Sequence, residues 1–196
     1  MKIGYSVEGS TDRAFVKGLV ERWCPGADLV EGSFRGSTGV SRRREIPKIC
    51  RELTVAEKAA TLIVFLTDSN DDDADSWREV LKAEEGRVPD EFKHLAIVGV
   101  CQRNIECWLC ADADWLAGML GRKPDDYRVA DPKGPFEEAL GITRFDRKEA
   151  EIAGLVREAP LRNWLRNLSF ENFYEQSWQK SKQLDCPMEN LRERET

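Results

Sequence analysis

The stretch Thr61–Asp75, "TLIVFLTDSNDDDAD", decides the fold. Leu62 to Leu66 is an unbroken apolar run rich in β-branched and aromatic residues. Such a run reads as a central parallel strand buried on both faces. It stops at Thr67 and Asp68 and opens into an acidic loop. Lys2–Gly9, "KIGYSVEG", repeats the arrangement, with an apolar strand pattern that ends at Glu8 and Gly9. Side chains just past the carboxyl ends of parallel strands line the crevice where open α/β sheets bind ligands. Acidic groups converging there repel one another unless a divalent cation lies between them. The two strand ends therefore predict a metal site and, from it, phosphoryl chemistry.

Working outward, strands and helices alternate. Residues 2–7 predict a strand. Ser10, Thr11 or Asp12 can then cap a helix running to about Trp23, whose apolar set (Ala14, Phe15, Leu19, Val20, Trp23) follows a period near 3.6. Pro25 and Gly26 end it. A short strand around Leu29 to Glu31 precedes the loop "GSFRGSTG", and a helix is predicted over Glu45–Lys58 with Ile46, Ile49, Cys50 and Leu53 on one face. Ser76–Glu85 predicts a helix and "HLAIVGVC" another buried strand. This order implies parallel βαβ units with right-handed crossovers. From Ile105 onward only helix-like segments follow, at about 105–120, 135–140, 146–157, 159–168 and 170–180, punctuated by Pro124, Pro132, Pro135 and Pro160. The expectation is an α/β domain over 1–120, a helical extension over 121–180 packed on it, and a polar tail over 181–196.

Composition sets bounds. The 196 residues are 41% hydrophobic and 34% charged, as in ordinary soluble domains. No stretch approaches the ~20 apolar residues of a membrane span, and the N-terminus runs directly into a strand pattern, so a cytoplasmic protein without membrane partners is expected. Six cysteines are then expected as reduced thiols. Cys107 and Cys110 have the spacing of a zinc knuckle, but no second pair follows and the sole histidine, His94, lies in a strand-like run; buried thiols are the stronger reading. A net charge of −6 excludes a generic basic coat for nucleic acid but not a nuclease, whose acidic ligands carry negative charge themselves.

The candidate site residues follow. Glu8 directly follows a strand, and Gly9 lets the chain turn; the alternative is an acid that simply favours the positive N-terminus of the next helix. Asp68, Asn70 and Asp72 alternate along the acidic loop and offer hard oxygen ligands suited to Mg²⁺ or Mn²⁺. A solvated helix cap accounts for Asp73 and Asp75 but not for Asp68, because a carboxylate flush against a buried strand is costly without a partner. Glu106 is a lone acid among Ile105, Cys107, Trp108, Leu109 and Cys110; it calls for a cation, either Arg103 or a metal. Asp112 reads as a cap for a helix starting at Ala113. The loop around Arg35 and the residue Lys133, held between two prolines, are candidate phosphate contacts, with ordinary turn chemistry as the alternative. Arg42, Arg43 and Arg44 form a basic segment suited to a phosphate backbone. No histidine base, nucleophile elbow or dinucleotide glycine fingerprint accompanies these acids, and metal-activated hydrolysis of a phosphodiester needs none of them.

"VEGSTDRAF" followed by the acidic cluster resembles the Toprim fold of topoisomerases, primases and overcoming-lysogenization-defect nucleases. In that fold a Glu after the first strand and an Asp-x-Asp after a later one bind Mg²⁺. Glu8 and Asp68 match, while Asn70 stands at the second Asp, with Asp72 as its substitute. The chain is also similar to small Toprim-like bacterial proteins encoded beside ABC-type ATPases in phage-defence loci. The similarity lies in Glu106, Trp108, Leu109 and Asp112, then Asp131, Pro132 and Lys133, then Ser169 and Phe170. The resemblance implies a Toprim-like four-stranded parallel sheet with a helical C-terminal extension. It also implies a Mg²⁺- or Mn²⁺-dependent nuclease acting on DNA or RNA, with Glu8, Asp68, Glu106 and Lys133 at the chemistry. A non-catalytic subunit of an ABC-type ATPase complex is the alternative, and a receiver-like phosphoacceptor at Asp68 a weaker one. Oligomeric state is left open, a homo-oligomer included.

Overall fold

The structure is a computed structural model describing residues 1–33, 39–55, 57–70, 73, 75–184 and 186–193, without the side chains of 39–43. Four parallel strands form one sheet: β1 (Lys2–Ser6), β2 (Asp28–Glu31), β3 (Leu62–Asp68) and β4 (Ala96–Cys101), in the order β2-β1-β3-β4. Helices α1 (Ser10–Trp23), α2 (Gly39–Thr54) and α3 (Ser76–Glu85) make the crossovers. The architecture is consistent with the Toprim-like fold. Strand order reverses between β1 and β3, so the crevice at their carboxyl ends is the switch point of a doubly wound sheet. Register pairs Tyr5 with Val64 and Ser6 with Phe65 across that junction.

Beyond β4 the chain is helical: α4 (Glu106–Leu109), α5 (Ala113–Leu120), α6 (Lys133–Leu140), α7 (Glu149–Glu158), α8 (Leu161–Trp164) and α9 (Leu168–Ser181). The single helix expected over 105–120 is broken in two, because Asp112 accepts the Trp115 N–H at 3.1 Å and so starts a new helix. Helix α2 begins six residues earlier than expected and ends four earlier.

Two apolar clusters sandwich the sheet. One, under α2 and α3, holds Ile46, Ile49, Leu53, Ile63, Phe65, Trp77 and Val98. The other joins α1 to the C-terminal helices through a ring stack of Phe15, Trp108, Trp164, Phe170 and Phe173. Close approach of backbones depends on two glycines. A Cβ on Gly18 would lie 2.6 Å from the Ala153 carbonyl of α7, and one on Gly99 2.7 Å from Phe173 of α9. Ser169 ties α9 to the site region: its hydroxyl accepts the Trp108 indole N–H at 2.7 Å and the Gln102 N–H at 3.0 Å.

Strand β4 is an edge strand. Leu95 and Cys101 turn their carbonyls to β3, accepting from Ile63 and Ser69, so Ala96, Val98 and Val100 face outward. The side-chain amide of Gln176 accepts the Val98 N–H at 3.1 Å and donates to the Val98 carbonyl at 3.0 Å.

Two expectations are corrected. Cys24 and Cys186 form a disulfide across 162 residues of sequence, whereas all six cysteines were expected as thiols; the folded-back C-terminal segment brings them together, which no local pattern reveals. That segment is also less solvated than its polar composition suggests. Met188 and Leu191 are buried, and the Leu191 N–H donates to the Tyr174 hydroxyl at 2.9 Å. Among the described residues, no helix is long and apolar enough to cross a membrane.

Candidate functional site

The acids gather at the β1–β3 switch point. β1 ends at Ser6 and Val7 leads on to Glu8, where the Thr67 hydroxyl donates to Glu8 Oε1. Glu8 thus lies across the junction from the end of β3, beside Asp68. Asp68 is the last residue of β3 rather than the first of the loop. Its Oδ1 is buried and finds no hydrogen-bond partner among the described residues. Burial first, then the charges of Asp12, Glu106 and Glu8, pushes its carboxyl up to about 9, with Lys133 opposing.

Glu106 opens α4 and is 2% exposed. Burial raises its carboxyl to about 7; its own backbone N–H and the Lys133 ammonium pull it down, and Asp12 pushes it further up. The cation whose charge acts on Glu106 is Lys133. Arg103 turns instead to Asp131, with Nε 3.4 Å from Oδ2. Beneath the acids lies Cys101, a buried thiol raised well above its ordinary value by burial and by Asp68, Asp12 and Glu106.

Lys133 stands at the start of α6. Asp131 braces it: Oδ1 accepts the Lys133 N–H at 3.2 Å and the Asn104 amide at 2.9 Å. The Asn104 bond, more than any other cause, holds Asp131 below the usual carboxylate value. The "Asp-Pro-Lys" element thus fixes the main chain of Lys133, whose charge pulls down the carboxyls of both Asp68 and Glu106.

Asp12 is the site acid that sequence reasoning took only as a cap. It is 4% exposed. Its Oδ2 accepts the Gly9 N–H at 2.8 Å, fixing the turn between Glu8 and α1, and its charge is the largest one raising Asp68. The signal was present: Asp12 precedes Phe15 and Leu19 by three and seven residues, so it shares the core-facing stripe of α1.

Asn70 is exposed, at φ 57°, with its side-chain nitrogen 3.4 Å from the Asp68 carbonyl. Its backbone N–H donates to the Arg103 carbonyl at 2.9 Å, and the Arg103 N–H donates to the Ser69 hydroxyl at 2.7 Å, with Arg103 at φ 65°. The loops after β3 and β4 are thereby stitched together. Asp72 and Arg35 lie outside the described residues. Arg42 and Arg43 lie in α2, their side chains undescribed, and Arg44 is exposed beside them. A helix that follows a parallel strand starts at the strand's carboxyl end, so this basic segment begins on the site's side of the sheet.

Among the described residues, no group of three or more His, Cys, Asp or Glu side chains is placed to hold a metal ion. The donor chemistry nonetheless fits a hard divalent cation. All the donors are carboxylates, one buried oxygen lacks a partner, and their mutual repulsion is the kind a cation relieves. Cys107 and Cys110 are free thiols, half-buried and buried, and the Cys107 thiol donates to Asn104 Oδ1 at 3.3 Å. Comparison with protein-family models, curated proteins and solved structures gave no match.

Proposed function

We propose that the chain is a Mg²⁺- or Mn²⁺-dependent phosphodiesterase acting on nucleic acid, in the manner its resemblance to Toprim proteins implies. The observation that carries the proposal is Asp68, a half-buried carboxylate whose Oδ1 is buried without a partner among the described residues, at the switch point and crowded by Glu8, Asp12 and Glu106. Glu8 and Asp68, with Asp12 and the neighbouring Asn70 or Asp72, would hold the cation. When bound, it supplies Lewis-acid stabilisation of charge on a phosphoryl oxygen. Glu106, raised to about 7, is suited to accept or return a proton near neutral pH. Lys133, fixed through Asp131, would sit against a non-bridging phosphate oxygen and offset developing negative charge. Arg35 and Arg42–Arg44 would contact the strand's backbone, making binding salt-sensitive and indifferent to sequence. The same reading places the protein in the cytoplasm, as an anti-phage effector that can associate with an ABC-type ATPase.

Asn70 favours a second reading. It stands where the resemblance requires an acid and points its amide at the Asp68 carbonyl, which suits a non-catalytic subunit of an ATPase complex. One experiment separates the two. Purified protein is incubated with plasmid and single-stranded DNA or RNA in Mn²⁺, Mg²⁺ or EDTA, beside Glu8→Ala and Asp68→Ala. Metal-dependent cleavage lost in both variants supports the phosphodiesterase. No cleavage with any substrate or metal refutes it.

A further inference from the structure

Between α6 and α7 the sequence reads "GITRFDRK", residues 141–148. Phe145, at the tip of this loop, is 93% exposed, while no other large apolar side chain among the described residues exceeds 54%. The tip is nevertheless well fixed. The Thr143 N–H donates to the Asp146 carbonyl at 2.8 Å, and the Thr143 hydroxyl accepts the N–H groups of Phe145 and Asp146 at 3.3 and 3.0 Å. Asp146 in turn accepts the Lys148 N–H at 3.1 Å and pairs with its ammonium at 2.6 Å. That leaves Arg144 and Arg147 without an ion pair among the described residues, and the Arg144 guanidinium lies 5.7 Å from the centre of the Phe145 ring. A rigid ring in water flanked by two unneutralised guanidiniums complements a polyanion that carries flat apolar faces.

The loop also stands on the site's side of the molecule. Glu149, at the head of α7, accepts from Arg13 Nη1 at 3.2 Å, and Arg13 adjoins Asp12. Phe145 precedes Glu149 by four positions, at most about 14 Å of chain. At the other end α6 leads back to Lys133 over eight residues, about 12 Å of helix. With bases rising about 3.4 Å apiece, a strand crossing the acids reaches the ring within several nucleotides.

We propose that Phe145, with Arg144 and Arg147, is a stacking platform for an unpaired base. The substrate class of the acidic site is then nucleic acid with single-stranded character, since a paired base inside a duplex offers no free face. The proposal rests on the phosphodiesterase reading for its location but not for its test. Binding of the full chain to a labelled 20-mer single strand, DNA and RNA in separate arms, is followed by fluorescence anisotropy in EDTA at low salt, against the same sequence as a duplex. Loss of one base stack in Phe145→Ala weakens binding roughly 5- to 150-fold. Phe145→Trp retains affinity, and Phe145→Leu loses it despite remaining apolar. Binding is read in EDTA, where no metal-dependent cleavage occurs, so failure to cleave and failure to bind are read separately. The platform is overturned if the wild type binds no single strand, if the duplex binds as tightly, or if Phe145→Ala binds as wild type; the last outcome assigns the ring to a protein contact.

Discussion

Asp68→Asn is expected to stabilise the cation-free protein. The folded chain pushes the Asp68 carboxyl from 3.8 to about 9, through burial first and then Asp12, Glu106 and Glu8. A carboxyl raised on folding holds a proton in the folded state that the unfolded chain releases. Its stabilising contribution is therefore full below about pH 4 and is lost progressively as pH climbs towards about 9. At pH 7 the cost reaches at most about 4 kcal/mol, at about 1.4 kcal/mol per pH unit above the unfolded value. Local relaxation and water at the partly exposed edge reduce this to about 1–4 kcal/mol. Asparagine is nearly isosteric and carries no charge. In a domain of this size each kcal/mol shifts Tm by about 2–4 °C, so the variant should melt roughly 3–15 °C higher at pH 7 in EDTA. The gain should shrink to at most about 1 kcal/mol near pH 4.5. Differential scanning calorimetry in EDTA across pH 4.5 to 8.5 measures it. A variant no more stable than wild type at pH 7, or a gain that ignores pH, would refute the picture of crowded, desolvated carboxyls.

Addition of Mn²⁺ or Mg²⁺ at a hundred times its Kd should stabilise the wild type by about 2.7 kcal/mol and leave Asp68→Asn unmoved, read by the same calorimetry. Gly18→Ala should cost about 1–3 kcal/mol, because its Cβ meets the Ala153 carbonyl and Val156 of α7; urea denaturation checks this. Gln176→Leu removes both hydrogen bonds to Val98 and should promote edge pairing between copies, visible by light scattering as dimers or larger species. Cys186→Ser should lower stability by about 2–4 kcal/mol and abolish the effect of reductant on Tm.

The sheet was legible because its strands announce themselves: Leu62–Leu66 and Ala96–Cys101 are apolar on both faces, and helices separate them. Glu8 and Asp68 were legible because each abuts such a run. Asp12 was not read as a site acid, although its helical spacing from Phe15 carries the information, because an acid in a first turn also serves as a cap. The partners of Glu106 and Arg103 could not be read. Both depend on where residues 131–133 return to the sheet, and no local pattern sets that return. The Cys24–Cys186 pair and the burial of Met188 and Leu191 likewise follow from distant chain closure. Phe145 is legible as an aromatic among arginines, but its exposure is not.

Asn70 and Arg103 both adopt left-handed backbone conformations, at φ 57° and 65°, at a cost of about 1–2 kcal/mol each for residues with a Cβ. Their loops are fastened to each other by main-chain and hydroxyl bonds, so neither can relax alone. Ser69 and Asn70 can part from Arg103 only by breaking these bonds, so the chain just past β3 and the chain just past β4 are coupled above Asp68.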